Sequence, residues 1–95
     1  MIKIGQAKFN PWNNKLTGPR GNVELTRAPG NLLMAMGKRG NRILASDQEL
    51  EQFTSGSNKS LRVQITKLRA ALLSVGAEAG IRRLQTEGYC LWAAQ

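Results

Sequence analysis

The apolar positions of this chain change their period twice. At the N-terminus Ile2 and Ile4 alternate with polar neighbours, and Ala7 and Phe9 continue the alternation, the pattern of a strand with one covered face. Asn10-Pro11-Trp12-Asn13-Asn14 is turn chemistry, since proline presets φ and asparagine tolerates left-handed geometry. Lys15-Leu16-Thr17 reads as the next short strand, Gly18-Pro19-Arg20-Gly21-Asn22 as a second turn, and Val23-Glu24-Leu25 as a third strand. Residues 1–25 are therefore expected to form a small antiparallel meander.

From Thr26 the spacing becomes helical. Thr26 can cap a helix whose first turn holds Arg27, Ala28 and Pro29, where a missing amide proton costs little. Leu32, Leu33 and Met36, with Ala35 at the margin, supply a buried stripe, and Gly37 to Gly40 ends the helix. Gly30 weakens it by ~1 kcal/mol relative to alanine. Arg42-Ile43-Leu44-Ala45 reads as a short extended linker. Ser46 and Glu49 form a capping box at the start of a second helix, with Leu50 and Phe53 turned inward. Asp47, Glu49 and Glu51 crowd its first turns, where the helix dipole favours acids. Thr54-Ser55-Gly56-Ser57-Asn58 is a loop.

The segment 59–74 carries the most information. Leu61, Ile65, Leu68 and Leu72 are spaced four, three and four, so they fall on one narrow stripe, an arc of roughly 60° at about 100° per residue. On the opposite side Arg62, Thr66 and Arg69 fall close together, flanked by Lys59, Val63, Lys67 and Ala70. No acidic residue occurs between Lys59 and Ser74. A solvated helix face normally mixes signs to gain helical ion pairs. A face of cations and small side chains instead suits a major groove about 12 Å wide, where arginine reads guanine, lysine holds phosphate, and Thr66 or Val63 meets a thymine methyl. The alternative is an ordinary exposed face that happens to be basic.

After Gly76 to Gly80 the period returns to two. Ile81 and Leu84, then Tyr89 and Leu91, flank Gln85-Thr86-Glu87-Gly88, a hairpin pattern over 79–92 with Arg82 and Arg83 on its first strand. A hairpin following a basic helix has the layout of a wing, which packs apolar residues on one strand face and offers the other to a partner.

Composition narrows the function. Ninety-five residues are read as one domain spanning 1–95, with N-terminal strands at 1–25, a three-helix core at 26–75 and a wing hairpin at 79–92. Fourteen Lys and Arg against six Asp and Glu give a net charge of +8, which favours polyanionic partners. There is no histidine, which removes Ser-His-Asp and Cys-His catalysis and histidine metal ligation. Cys90 is the one cysteine, so no internal disulfide forms, and beside Tyr89 it reads as a packing residue. The expectation is no enzyme, with no catalytic residue, metal site or cofactor. No apolar run approaches the ~18–20 residues needed to span a bilayer, and the N-terminus lacks a signal-peptide stretch. The expected location is cytoplasmic, on the nucleoid, without membrane contact.

The order of elements, together with particular residues, resembles the winged-helix effector domain of the OmpR/PhoB response-regulator family, including its ToxR-like members. The matching residues are Phe9-Asn10-Pro11, Leu16, Val23-Glu24-Leu25-Thr26, Leu32-Leu33, Ile43, Ser46 and Leu50. They continue through Val63-Gln64-Ile65-Thr66-Lys67-Leu68-Arg69, Leu72, Ile81-Arg82, Gly88-Tyr89 and Leu91. The resemblance implies an α+β winged helix-turn-helix, with an N-terminal strand meander, three helices and a C-terminal β-hairpin wing. It implies DNA contact from Lys59, Gln64, Thr66, Lys67 and Arg69. The helical wheel favours Lys59, Arg62, Thr66, Lys67 and Arg69 and sets Gln64 on the core flank. Arg82 and Arg83 are expected on the DNA backbone.

Departures from the family pattern also carry expectations. Arg62 stands where the family commonly has an acid. Pro29-Gly30 replaces an acid and an aromatic, which implies a first helix that starts late or packs loosely. Thr54 replaces a tryptophan, and the loop after it is about four residues short of the typical family length, which weakens the expectation of a polymerase contact. Gln85 stands where a minor-groove arginine often lies. No receiver domain is present, so the chain reads as either an excised effector domain or a stand-alone regulator.

These readings predict a sequence-specific transcriptional regulator of double-stranded DNA, with 59–74 in the major groove and the wing on the adjacent backbone or minor groove. Head-to-tail pairing on DNA is implied by the resemblance. The competing reading is a protein-interaction module on the same scaffold, binding RNA polymerase, a sigma factor or another regulator.

Overall fold

The structure, a computed structural model, describes residues 1–39, 44–54, 60–84 and 88–93. Four short strands open the chain: β1 (Ile2–Ile4), β2 (Ala7–Asn10), β3 (Lys15–Gly18) and β4 (Gly21–Glu24), paired antiparallel in chain order. The meander thus has one strand more than the hydrophobic alternation predicts. Ile4 and Ala7 are three residues apart, so one continuous strand would put them on opposite faces. A turn at Gly5-Gln6 resolves this by setting Ala7 opposite Ile4 and Phe9 opposite Ile2. Ile4, Ala7, Phe9 and Leu16 are all buried as a result. The β2–β3 turn uses the asparagines as expected: the side chains of Asn10 and Asn13 accept from the amides of Trp12 and Lys15, at 3.0 and 3.1 Å.

Helix α1 (Arg27–Arg39) begins at Arg27, directly after Thr26. The expectation of a late or loose start fails, because Pro29 lies in the first turn, where no intrahelical donor is needed. The helical ladder opens with the Gly30 amide on the Thr26 carbonyl at 3.0 Å. Pro29 and Gly30 are themselves buried, beside Leu32, Leu33 and Met36. The helix runs through Gly37 to Arg39, within the segment 37–40 where the sequence pattern ends it.

The expected linker at 42–45 lies partly outside the described residues, and its remainder is a strand, β5 (Leu44–Ser46). Helix α2 (Asp47–Glu51) follows at once and continues into a 3-10 turn, Gln52–Thr54. Ser46 caps α2 by accepting from the Glu49 amide at 3.2 Å. The Glu49 carboxylate pairs with Arg39 at the end of α1. Leu50 is buried and Phe53 half-buried against the core.

Helix α3 (Leu61–Ser74) is capped by Ser60, whose side chain accepts from the Val63 amide. Its stripe of Leu61, Ile65, Leu68 and Leu72 is buried. Burial of each such side chain stabilises by ~1.5–3 kcal/mol, against a few tenths for any helical ion pair. Tertiary packing therefore holds α3, which leaves its outer face free to dispense with acids.

The helix ends in a Schellman motif. Gly76 (φ 70°) donates to Leu73 at 3.1 Å and Ala77 donates to Leu72 at 3.0 Å. The N-terminal sheet grips this junction through two backbone bonds, Gln6 to the Ala77 carbonyl at 2.6 Å and Arg20 to the Val75 carbonyl at 3.0 Å.

Strands β6 (Ala79–Leu84) and β7 (Gly88–Ala93) form the C-terminal hairpin, and β5 adds to it in the order β5-β7-β6. The turn residues 85–87 lie outside the described residues. Gly88 pairs with Ser46 across β5 and β7, and a Cβ there would collide with the Ala45 carbonyl. Glycine at position 88 is thus required by the close approach of β5. The architecture is α+β, with a core formed by both sheets, α1 and α3. No helix among the described residues is long and apolar enough to cross a membrane.

Candidate nucleic-acid interface

Because its stripe is buried, α3 turns Arg62, Val63, Thr66, Lys67, Arg69 and Ala70 outward. Val63, Thr66 and Ala70 lie most nearly opposite the buried stripe, with Arg62 and Arg69 on the flank nearer the hairpin and Lys67 on the other. Thr66 donates its hydroxyl to the Arg62 carbonyl at 3.0 Å, which fixes its methyl and oxygen in one orientation. Gln64 is only 3% exposed, in accord with the wheel rather than with the position implied by resemblance. Lys59 lies outside the described residues.

The flank toward the hairpin is built from side chains distant in sequence. Strand β6 is an edge strand, and Arg69 donates its Nε to the Ile81 carbonyl there at 3.0 Å. Arg83, two residues further on, pairs with Asp47 at the start of α2 at 2.7 Å. The buried ring of Tyr89, cross-strand neighbour of Arg83, underlies both cations, with its centroid 4.8 Å from the Arg83 guanidinium carbon and 5.9 Å from that of Arg69. Arg62, Arg69, Arg83 and Tyr89 line an open recess of about 430 Å³. The hydrogen bond and charge of Asp47 raise the Arg83 pKa above its ordinary value, with a smaller contribution from Tyr89.

Arg82 is exposed but is the strand neighbour of Arg83, so it projects from the other face of β6. Lys67 lines a separate apolar recess with Val23, Leu25, Pro29 and Ala70. The structure therefore joins Arg62, Arg69 and Arg83 in one recess and sets Lys67 and Arg82 apart from it. Sequence reading missed Asp47 and Tyr89 as members of this surface. Asp47 was accounted for by the helix dipole and Tyr89 by the core, and the only clue lay in the strand register that sets Tyr89 against Arg83.

A helix-turn-helix followed by a hairpin, with the helix and hairpin sharing one cationic surface, defines the winged-helix class of fold. No protein-family model and no curated protein matches the sequence. Solved structures do match over essentially the whole chain. The C-terminal domain of the nisin resistance regulator NsrR, a lantibiotic response regulator, is similar at a TM-score of 0.77 and 18% identity, with all of both chains covered. The DNA-binding domain of the response regulator AdeR, solved with an intercistronic region, is similar at 0.78 and 15% identity, covering 99% of this chain and 100% of the other. The DNA-binding domain of E. coli CadC is similar at 0.77 and 20% identity, covering 96% and 90%. The chain has the fold of these domains, a winged helix-turn-helix behind a four-stranded meander.

Proposed function

We propose that the chain is a sequence-specific binder of double-stranded DNA that regulates transcription. The observation that carries this reading is the outer face of α3, basic, free of acids and beside the arginine-lined hairpin, on a fold shared with a domain solved with an intercistronic region. Thr66 and Val63, with small Ala70 allowing close approach, read base edges in the major groove. Arg62 and Arg69 on one flank and Lys67 on the other straddle them and hold phosphates of the two strands. Lys59, just ahead of α3, adds a further cation. Arg82 and Arg83 carry the hairpin onto adjacent backbone. Two copies bind head to tail on direct-repeat half-sites.

Selection from a pool of random duplexes, followed by salt titration of the winner, tests this. An enriched motif and a log–log salt slope of about −0.9 per phosphate contact are expected. No enrichment and no retarded complex at low salt would refute it.

The reading as a protein-interaction module for RNA polymerase, a sigma factor or another regulator draws on a different observation. Leu73 is 77% and Trp92 39% exposed, and both border an apolar recess with Pro19, Leu72 and Ala79. A stable protein partner recovered without duplex binding would put this reading first.

A further inference from the structure

One guanidinium of the recess between α3 and the hairpin is already paired with an anion, and that anion belongs to the protein. Asp47 reaches across from the N-terminus of α2 to Arg83. Each partner's side chain is more than one-third exposed, at 38% for Arg83 and 36% for Asp47, so the pair is worth little and water competes for both members. Arg69 has committed its Nε to Ile81, and the planar fork retains its two terminal amino groups. The Arg62 side chain, by contrast, has no partner among the described residues. Three guanidinium groups and one carboxylate around a phenol ring leave the recess with an excess of two positive charges and donors in planar forks. Such forks match tetrahedral oxyanions.

We infer that Arg62, Arg69 and Arg83 around Tyr89 form a phosphate pocket for one backbone phosphate of the bound duplex, and that the Asp47 carboxylate occupies Arg83 until that phosphate replaces it. This rests on the DNA-binding reading above and deepens it. Asp47 is a positioning residue: it holds the Arg83 fork over the Tyr89 ring in the free protein and lowers affinity by competing for it. Exchange of one anion for another on a shared guanidinium involves no change of fold. The exchange is favoured because Arg62 and Arg69 line the same recess and can hold the incoming phosphate oxygens, whereas the Asp47 carboxylate is paired with Arg83. The pocket reads no base, so its effects are uniform across sequences.

The test uses fluorescence anisotropy of the whole chain with a selected duplex and with a random one, across a range of salt, for wild type, Asp47→Asn, Arg62→Gln, Arg83→Gln and the double variant Asp47→Asn/Arg83→Gln. Asp47→Asn is expected to tighten binding to both duplexes by about three- to fivefold, the scale of an exposed ion pair. Arg62→Gln is expected to weaken both alike and to make the salt slope shallower by about 0.9. In the Arg83→Gln background, Asp47→Asn should give no gain beyond that expected of removing a distant negative charge. A single methylphosphonate placed along the duplex should abolish the effect of Arg62→Gln at one position only.

If the wild type binds no duplex, both the function and the pocket fall. If it binds but Asp47→Asn leaves affinity unchanged, or Arg62→Gln alters preference at one base pair and not the salt slope, the pocket alone is refuted. The three substitutions fall on exposed or half-exposed side chains, and thermal melts confirm that each of the four variants is folded.

Discussion

Replacing Arg69 by alanine separates a residue that supports the fold from one that only touches DNA. The sequence alone places Arg69 among the outward cations of the helix expected to meet DNA. The structure gives Arg69 a second task, since its Nε satisfies the Ile81 carbonyl on the edge of β6 at 3.0 Å and its guanidinium lies 5.9 Å from the centre of the Tyr89 ring. A charged hydrogen bond contributes ~1.5–3 kcal/mol when shielded. Arg69 is exposed, so water takes back much of this, and the cation–π contact adds no more than ~0.5 kcal/mol at an open site. The expected cost is therefore about 1 kcal/mol, or roughly 4–8 °C in melting temperature for a domain of this size.

Calorimetry or circular dichroism in the absence of DNA measures it directly. Thr66→Ala is the control, because the Thr66 hydroxyl bonds only within its own helix turn, and exposed changes of that kind stay within about 0.5 kcal/mol. If Arg69→Ala melts no lower than Thr66→Ala, the link from helix to strand is absent in solution. The reasoning would then fail, and Arg69 would be left with a role on DNA alone.

Three further expectations follow from the same geometry. Leu68→Ala empties a fully buried position in the α3 stripe and should cost ~3–5 kcal/mol, read as a large loss of denaturation midpoint at an unchanged m-value. Gly76→Ala forces a β-carbon into a left-handed residue and to within 2.8 Å of the Arg20 side chain, so destabilisation of ~1–2 kcal/mol is expected by the same measurement. Arg82→Ala should weaken binding to all duplexes alike and flatten the salt slope by about 0.9, whereas a loss confined to one sequence would give Arg82 a base contact instead.

How far the sequence can be read depends on the range over which each feature is decided. The α3 stripe and the cap at Ser46 are written in residues three and four apart, so periodicity and composition expose them. The β1–β2 reversal is equally local, but the three-residue step from Ile4 to Ala7 passes for continued alternation. Strand β5 was read as a linker for a different reason. It spans three residues, and its partner β7 lies more than 40 positions away in the pairing of Ala45 with Tyr89, where no short-range pattern reaches. The site divides in the same way. Exposure of Arg62, Thr66, Lys67 and Arg69 follows from the wheel. The tether from Arg69 to Ile81, and the Asp47–Arg83 pair, depend on how α2, α3 and β6 are brought together. Arg62 stands out as a cation on the outward side of α3, but its recess cannot be foreseen without Tyr89.

The two backbone bonds from Gln6 and Arg20 to residues 77 and 75 brace the joint between α3 and β6 from behind. On the proposed reading, in which both meet a duplex, the splay between helix and hairpin is braced by a part of the molecule that enters neither groove. On that reading, a displacement of the first two hairpins is passed through these bonds to the joint and alters the width of duplex that helix and hairpin straddle. The N-terminal meander is in this sense the natural handle by which a second body could tune binding without touching a base.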